Sequence, residues 1–280
     1  MATTSGFPIT AEMARLIEAA EVAFINAQIE GARQVFPDGG FLAEPVGGGV
    51  AAVTKTSFGR KLNHVAGFGM DGPVTDEDID TIEALYKGTG VAPEINLCPL
   101  AHESAKERLA DRGYTVCAEM NVYAVALGTY QTTNGESNAN NILISPISPD
   151  EHKTFIDLST AGFQSGNPQS DLFHTLAATA TIRPDTQLYF ARINGEIAGT
   201  AGMALIDTPL GHVAELYIDS TVPAFRGKGI QLALLKSRLA EAKEKGCELA
   251  AVTTWPTGTS ARNVKRAGFN LAYKKDVYTI

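Results

Sequence analysis

Cysteine is scarce in this chain: Cys98, Cys117 and Cys247 are the only three among 280 residues. The count is odd and no pair has Cys-x-x-Cys spacing, so the sequence offers neither a disulfide framework nor a zinc site. They read as reduced, mostly buried thiols, and no metal site is expected. Long apolar runs are also missing. No stretch reaches 18 apolar residues, which excludes a membrane-spanning helix. Residues 1–6 show no basic region followed by an apolar run, so no signal peptide is expected, and the expected compartment is the cytoplasm. Positive charge is in deficit, with a formal net charge of -8 and a pI of 5.2. That balance argues against a nucleic-acid or anionic-membrane surface.

What the chain does have is ordinary globular material. Its 44% hydrophobic content is enough for a sizeable core, and its length suggests about two domains. The most polar, turn-prone run spans 128–141, with strand-like sequence before it (122–127) and after it (142–144). It reads as a linker.

The segments on either side repeat one plan. Arg112-Gly113-Tyr114 followed by Asn121-Val122-Tyr123 matches Ala267-Gly268-Phe269 followed by Asp276-Val277-Tyr278, at an offset of 155. His64-Val65-Ala66 matches His212-Val213-Ala214 at an offset of 148, and the turn Gly47-Gly48 matches Asn194-Gly195 at 147. The jump of seven residues falls where the second half carries Pro223-Ala-Phe-Arg-Gly-Lys-Gly-Ile-Gln231. The first half has Gly72-Pro73-Val74-Thr75-Asp76-Glu77 there, a helix start capped by carboxylates that repel phosphate.

In the second half, Ser148-Pro149-Asp150-Glu151 is a capping box with proline at the first helical position. It predicts a helix to about Gly162, and a second helix is expected over 169–178. A hairpin is expected over 187–206, turning at Asn194-Gly195. A strand over 212–218, a helix over 229–245, a strand over 248–254, a short helix over 261–267 and a strand over 270–279 complete the order.

The segment 223–231, between a strand and a helix, is a seat for phosphate. Unpaired N–H groups and the helix dipole favour an anion there. Glycine lets the backbone approach closely, and Arg226 supplies charge-assisted hydrogen bonds.

With strand 212–218, the run Thr221 to Ile230, the following helix and the ending Gly268-Phe269, the second half resembles the GNAT N-acetyltransferase superfamily. The resemblance implies an α/β fold of α+β type. It implies two GNAT-like domains, each a mixed, mostly antiparallel sheet flanked by helices. The expected division is a degenerate domain over 1–127 without the phosphate loop, the linker 128–141, and a catalytic domain over 142–280. The family pattern Arg/Gln-x-x-Gly-x-Gly/Ala binds the pyrophosphate of acetyl-CoA; here it reads Arg226-x-x-Gly229-x-Gln231, with Gln in place of a small residue. The implied donor-binding residues are Thr221, Val222, Arg226, Gly227, Lys228, Gly229, Ile230 and Gln231, with backbone donors around 218–222 for the oxyanion and the pantetheine arm.

The implied activity is acetyl transfer from acetyl-CoA to the amine of a small molecule, by direct attack in a ternary complex. The alternatives are a CoA-binding regulatory or structural module without chemistry, and an acetyltransferase acting on a protein or peptide. Glu215, on the central strand, is the expected general base. The family's usual tyrosine acid falls at Val264, so Ser260 and Asn263 stand as candidates near the sulfur or amine. Ser260 also suits a helix N-cap before Ala261. Cys247 reads as the start of a buried strand rather than a nucleophile, His212 as exposed, and Tyr189 and Phe190 as packing. Trp255-Pro256 lies where an acceptor pocket could be lined. The first half is expected to pack on the active half and shape its acceptor site.

Overall fold

The computed structural model describes residues 9–131, 141–163 and 170–280. The first half runs α1 (Ala11–Val35), β1 (Leu42–Val46), β2 (Gly49–Val53), β3 (His64–Ala66), α2 (Asp76–Tyr86), β4 (Glu94–Leu97), α3 (Glu103–Asp111) and β5 (Thr115–Ala126). The second runs β6 (Leu143–Pro146), α4 (His152–Phe163), α5 (Ser170–Ile182), β7 (Thr186–Ile193), β8 (Glu196–Thr208), β9 (Gly211–Thr221), α6 (Ile230–Glu244), β10 (Leu249–Thr254), α7 (Thr259–Arg266) and β11 (Asn270–Thr279). Residues 132–140 of the expected linker lie outside the described residues. So does Gln169, the expected start of the second helix, which ends at Ile182, four residues later than expected.

The local signals act as read. The Ser148 N–H donates to Glu151 Oε2 at 3.1 Å, closing the capping box, although its first turn is 3₁₀. Asn194 and Gly195 take φ of 51° and 85°, and Gly47 and Gly48 take 53° and 79°. The two hairpin turns therefore share a left-handed geometry that suits glycine and asparagine. At the acidic start of α2, Thr75 and Asp78 cap each other, and Asp78 Oδ1 also accepts from the Gly47 N–H at 3.1 Å. Those carboxylates hold a helix and a turn.

Two separate sheets were expected; the strands form one, in the order β1-β2-β3-β4-β11-β5-β10-β9-β8-β7-β6. Each half's last strand lies between two strands of the other half. β5 is antiparallel to both β10 and β11, and β11 is antiparallel to both β4 and β5. In the β5–β11 ladder Met120 stands opposite Lys275, and these positions are themselves 155 apart. A pseudo-twofold axis therefore passes between them. The physical reason for one sheet is edge closure: β10 and β4 each find their missing neighbour in the other half.

Helices cover both faces. On one, α2, α3, α6 and α7 pack on Val65, Ile95, Tyr123, Ala214 and Leu216. On the other, α1 crosses the sheet. Its start (Ala14, Ile17, Ala20) packs on Val122, Ala204, Val213 and Ala251, and its end (Ile25, Ile29, Ala32) packs on Val50, Ala52 and Ala66. Each buried Ile contributes about 1.5–3 kcal/mol, so a first-half helix is firmly seated on second-half strands. α5 bridges back, with Leu172 against Phe41 and Phe58. Among the described residues no helix is long and apolar enough to cross a membrane.

This interleaving predicts that a fragment of residues 128–280 lacks the strand between β10 and β11 and does not fold cooperatively. Co-expressed fragments 1–131 and 141–280 are expected to assemble. Circular dichroism melts and co-purification check this; a soluble, cooperatively melting 128–280 fragment would overturn it.

Candidate active site

β9 and β10 run parallel and paired from Val213/Leu249 to Glu215/Ala251, and there the ladder stops. β9 continues to Thr221 and β10 to Thr254, so the strands part and leave a cleft. Beyond Glu215, the edge of β9 turned toward β10 has no ladder partner. The cleft is shaped by a bulge: Gly202 pairs with Tyr217 but Thr200 pairs with Ser220, so Ile218 and Asp219 together oppose Ala201. Ile218 takes φ of 54°, uncommon for a β-branched residue. Arg238, fully buried on α6, fixes the bulge. Its guanidinium lies 2.7 Å from Asp219 Oδ1, donates to Oδ2 at 2.8 Å, and donates to the Gly202 carbonyl at 2.7 Å. Sequence reasoning missed Arg238. A lone arginine on the apolar face of an amphipathic helix was the available signal.

At the mouth of the cleft stands the loop that opens α6. Gly227 and Gly229 take φ of 77° and 83°, with Gly229 at the N-cap and no side-chain cap. A Cβ on either would meet nothing within 4 Å. The left-handed backbone, rather than crowding, is what calls for glycine, and the space before the helix N-terminus is open. Arg226 donates to the Gly162 carbonyl at the end of α4 at 3.0 Å, and Lys228 lies 4.8 Å from the Phe225 ring centroid. Ile230 anchors the helix start: it is buried against Gly199, where a Cβ would come within 2.5 Å of its side chain. Of the expected backbone donors, the Val222 N–H is already spent on the Ala198 carbonyl at 3.0 Å, and Thr221 pairs with Gly199.

Gln231, the departure from the family pattern, has a structural role. Its amide nitrogen donates to Ser260 Oγ at 3.3 Å and its Oε1 accepts from Asn263 Nδ2 at 2.9 Å. Three of the sequence candidates thus form one cluster joining α6 to α7 across the cleft mouth. The expectation that Ser260 caps the helix is corrected. α7 starts at Thr259 with Gly258 at the N-cap, which leaves the Ser260 hydroxyl facing Gln231. Val264 is buried in the core. Cys247 is buried and its thiol is pushed up, so it stays protonated. His212 is exposed and held by Asp207 at 2.5 Å, away from the cleft. Trp255 sits at the end of β10 with the first-half Arg60 guanidinium 5.3 Å from its ring centroid.

Glu215 faces α1. Burial, reinforced by the Glu21 carboxylate, pushes it from 4.5 up to about 8, while Lys275 draws it partly back. Glu18 adds to the rise and Arg183 opposes it. Lys275 is wholly buried and bridges Glu18 and Glu21, with Nζ 2.8 Å from Glu18 Oε1 and in contact with Glu21 Oε2. Burial alone would lower this lysine, and the two carboxylates outweigh it and keep the ammonium charged. Two residues beyond Glu215, Tyr217 packs edge-on against Phe24 of α1, centroids 4.9 Å apart. The Arg183 guanidinium lies 4.3 Å from the Phe24 ring centroid. Nothing in the local sequence around Glu215 announced Glu18, Glu21 or Lys275, which lie some 200 residues before it or 60 after it.

The family model described as Acetyltransferase (GNAT) family matches residues 153–269. No curated protein matches the chain. Among solved structures, it is similar to a GCN5-related N-acetyltransferase from Kribbella flavida, at 16% identity over 93% of this chain and 95% of that one, with a TM-score of 0.63. It is also similar to a GCN5-related N-acetyltransferase from Sphaerobacter thermophilus, at 14% identity over 95% and 93%, with a TM-score of 0.54. A tandem GNAT protein from the clavulanic acid biosynthesis pathway aligns at 14% identity over 72% of this chain and 67% of that one, with a TM-score of 0.52. At these identities the likeness establishes the fold.

The raised Glu215 carboxyl has a consequence for stability. The folded chain holds this proton up to about pH 8, whereas the unfolded chain releases it near 4.5. Its contribution is therefore most favourable below 4.5 and is lost as pH rises to 8. Glu215→Gln, which stays neutral, is expected to be more stable than the parent at pH 9, by on the order of 2 kcal/mol given partial solvent contact, and equal to it at pH 4. Urea melts at the two pH values test this; a difference independent of pH would refute it.

Proposed function

We propose that the second half, 142–280, whose residues 153–269 match the acetyltransferase (GNAT) family model, moves an acetyl group from acetyl-CoA to the amine of a small molecule. The observation that carries this is one cleft holding an open helix N-terminus at its mouth and a half-buried carboxyl, raised to about 8, where its strands part. The first half, without a phosphate loop, is a degenerate repeat that closes the sheet and supplies α1 to the acceptor side.

The donor fits the residues present. The pyrophosphate takes the N–H groups opening α6, between the left-handed Gly227 and Gly229, with Arg226 and Lys228 as flanking cations. The pantetheine amides pair with the free edge of β9 beyond Glu215, as an added strand would. Gln231 holds Ser260 and Asn263 at the rim, where their polar atoms face the thioester end of the donor.

The acceptor arrives as an ammonium and must lose a proton before it attacks. Glu215, titrating near 8, has the basicity to take it close to neutral pH. The amine nitrogen then bonds to the acetyl carbon, and the carbonyl oxygen gains negative charge. Backbone N–H groups of the bulge around Ile218 are the donors for that oxyanion. Collapse breaks the carbon–sulfur bond, and the CoA thiolate takes the second proton of the attacking nitrogen, directly or relayed through water or the Ser260 hydroxyl, which gives one proton as it receives the other. No enzyme-bound acyl intermediate is needed, consistent with the protonated, buried Cys247.

Two measurements test this. In calorimetric titration with CoA, Arg226→Ala is expected to weaken binding about tenfold, the worth of one charge-assisted hydrogen bond. In a thiol-release assay over amines, amino acids, aminoglycosides and peptides, kcat/KM is expected to rise with pH through about 8. Glu215→Gln should abolish that limb and lower the rate by about 10²-fold or more. Unchanged turnover in Glu215→Gln rules out its role as base. CoA affinity unaffected by Arg226→Ala rules out the loop.

A further inference from the structure

The first half brings a carboxyl group, Glu21, to the face of β9 that carries Glu215. The contact between Phe24 and Tyr217 fixes how α1 lies on β9. Ala14 and Ile17 pack with Val213, and Phe24 packs on Tyr217, so helix and strand advance together along this face. Glu21 is one turn before Phe24, and Glu215 is two strand residues before Tyr217. The two carboxyl groups therefore stand at the same level, where β9 leaves β10.

The charges around them do not balance. Glu18 and Glu21 both pair with one buried ammonium, Lys275, while Glu215 keeps its proton at neutral pH and adds a further charge only when it ionises. Arg183, the other cation acting on Glu215, is already held by Asp185 through Nε at 2.9 Å and Nη2 at 2.7 Å. His64 faces Glu21 from β3, and burial lowers its pKa, so it brings no positive charge at neutral pH. The bonds are also unequal. Both oxygens of Glu18 are used, one by Tyr273 at 2.6 Å and by Lys275, the other by Lys275 at 2.9 Å. Glu21 gives Lys275 one oxygen only, and its side chain is 17% exposed against 1% for Glu18. The Glu215 side chain makes no hydrogen bond or ion pair among the described residues. Ionising a half-buried carboxyl without a partner is costly. Yet no group of three or more His, Cys, Asp and Glu residues is placed to hold a metal ion among the described residues.

We infer that Glu21 is a specificity-determining residue of the active site, supplied by the first half, and that it selects acceptors arriving as aliphatic ammonium ions. The inference rests on Glu215 acting as the base. Glu18 neutralises Lys275, Glu21 turns its second oxygen to the incoming ammonium, and Glu215 takes the proton from the same nitrogen. An incoming cation also favours the ionised form of Glu215, so a charged acceptor readies its own base. Arylamines and other weakly basic acceptors bring no charge at neutral pH and forgo both effects.

The test compares n-butylamine with n-butanol, equal in shape and different in charge, titrated into the full chain saturated with CoA. Butylamine is expected to bind at least tenfold more tightly, and Glu21→Gln to abolish that preference while Glu18 still pairs Lys275. Glu21→Asp, which keeps the charge, is expected to retain part of the preference and covers the case in which the amide variant misfolds. In a turnover assay with butylamine, the acid limb of kcat is expected to lie below that of kcat/KM, because the bound cation lowers the base. Equal binding of the two probes, binding of neither, or a preference that survives Glu21→Gln overturns the inference. Unchanged turnover in Glu215→Gln with the ammonium preference intact would overturn the base and leave Glu21 as a binding residue, so the two failures are distinguishable.

Discussion

The antiparallel pairing of β5 with β11 is the constraint on which the rest depends. These are the last strands of the two halves, and each is enclosed by strands of the other. Neither half can bury its own final strand without leaving an edge open, so the two halves share one ladder. At its centre Lys275 stands opposite Met120. Only one of these two related positions carries a charge, and that charge needs counter-ions. They come from α1, which is thereby tied to the middle of the sheet by two carboxylates as well as by its apolar face.

The asymmetry of the active site follows from this near-symmetry. In the second half the strand after the hairpin runs on past its parallel neighbour and bulges, and the chain reaches a helix through a glycine loop. In the first half the corresponding strand ends at Ala66, and the helix begins with carboxylates that cap it and hold the Gly47 turn. The same plan therefore yields one cleft with a glycine loop and an open helix N-terminus at its mouth, and one partner half whose α1 lies on the Glu215 face of β9. Burial under α1 is what raises Glu215, since a carboxyl at the same point of an open cleft would stay ionised and be a weaker base.

Much of the second half was legible because its signals are local. Asn194-Gly195, the capping box at Ser148 and the strand over 270–279 each depend on neighbours within a few residues, and each appears where it was read. The loop 223–231 was legible for the same reason: left-handed glycines and unpaired helix N–H groups belong to a short stretch of chain. The capping alternative for Ser260 is not met, because choosing between Gly258 and Ser260 requires Gln231, 29 residues earlier, whose side chain claims the serine hydroxyl. The internal repeat was legible as matched offsets, but its meaning was not: two similar halves fit two separate sheets as readily as one shared sheet.

The sequence by itself determined the repeated plan, the half that carries the glycine loop before a helix, and the position of Glu215 on the strand leading to it. These are patterns of polarity and of special backbone residues, which act at short range. Tertiary structure alone decided that the strands interleave, that Gln231 fastens α7 to α6, and that Glu18, Glu21 and Lys275 act on Glu215. The reason is that a carboxyl's environment is set by what is packed against it. In this chain those groups come from a helix near one end and a strand near the other, brought together by the pairing of β5 with β11.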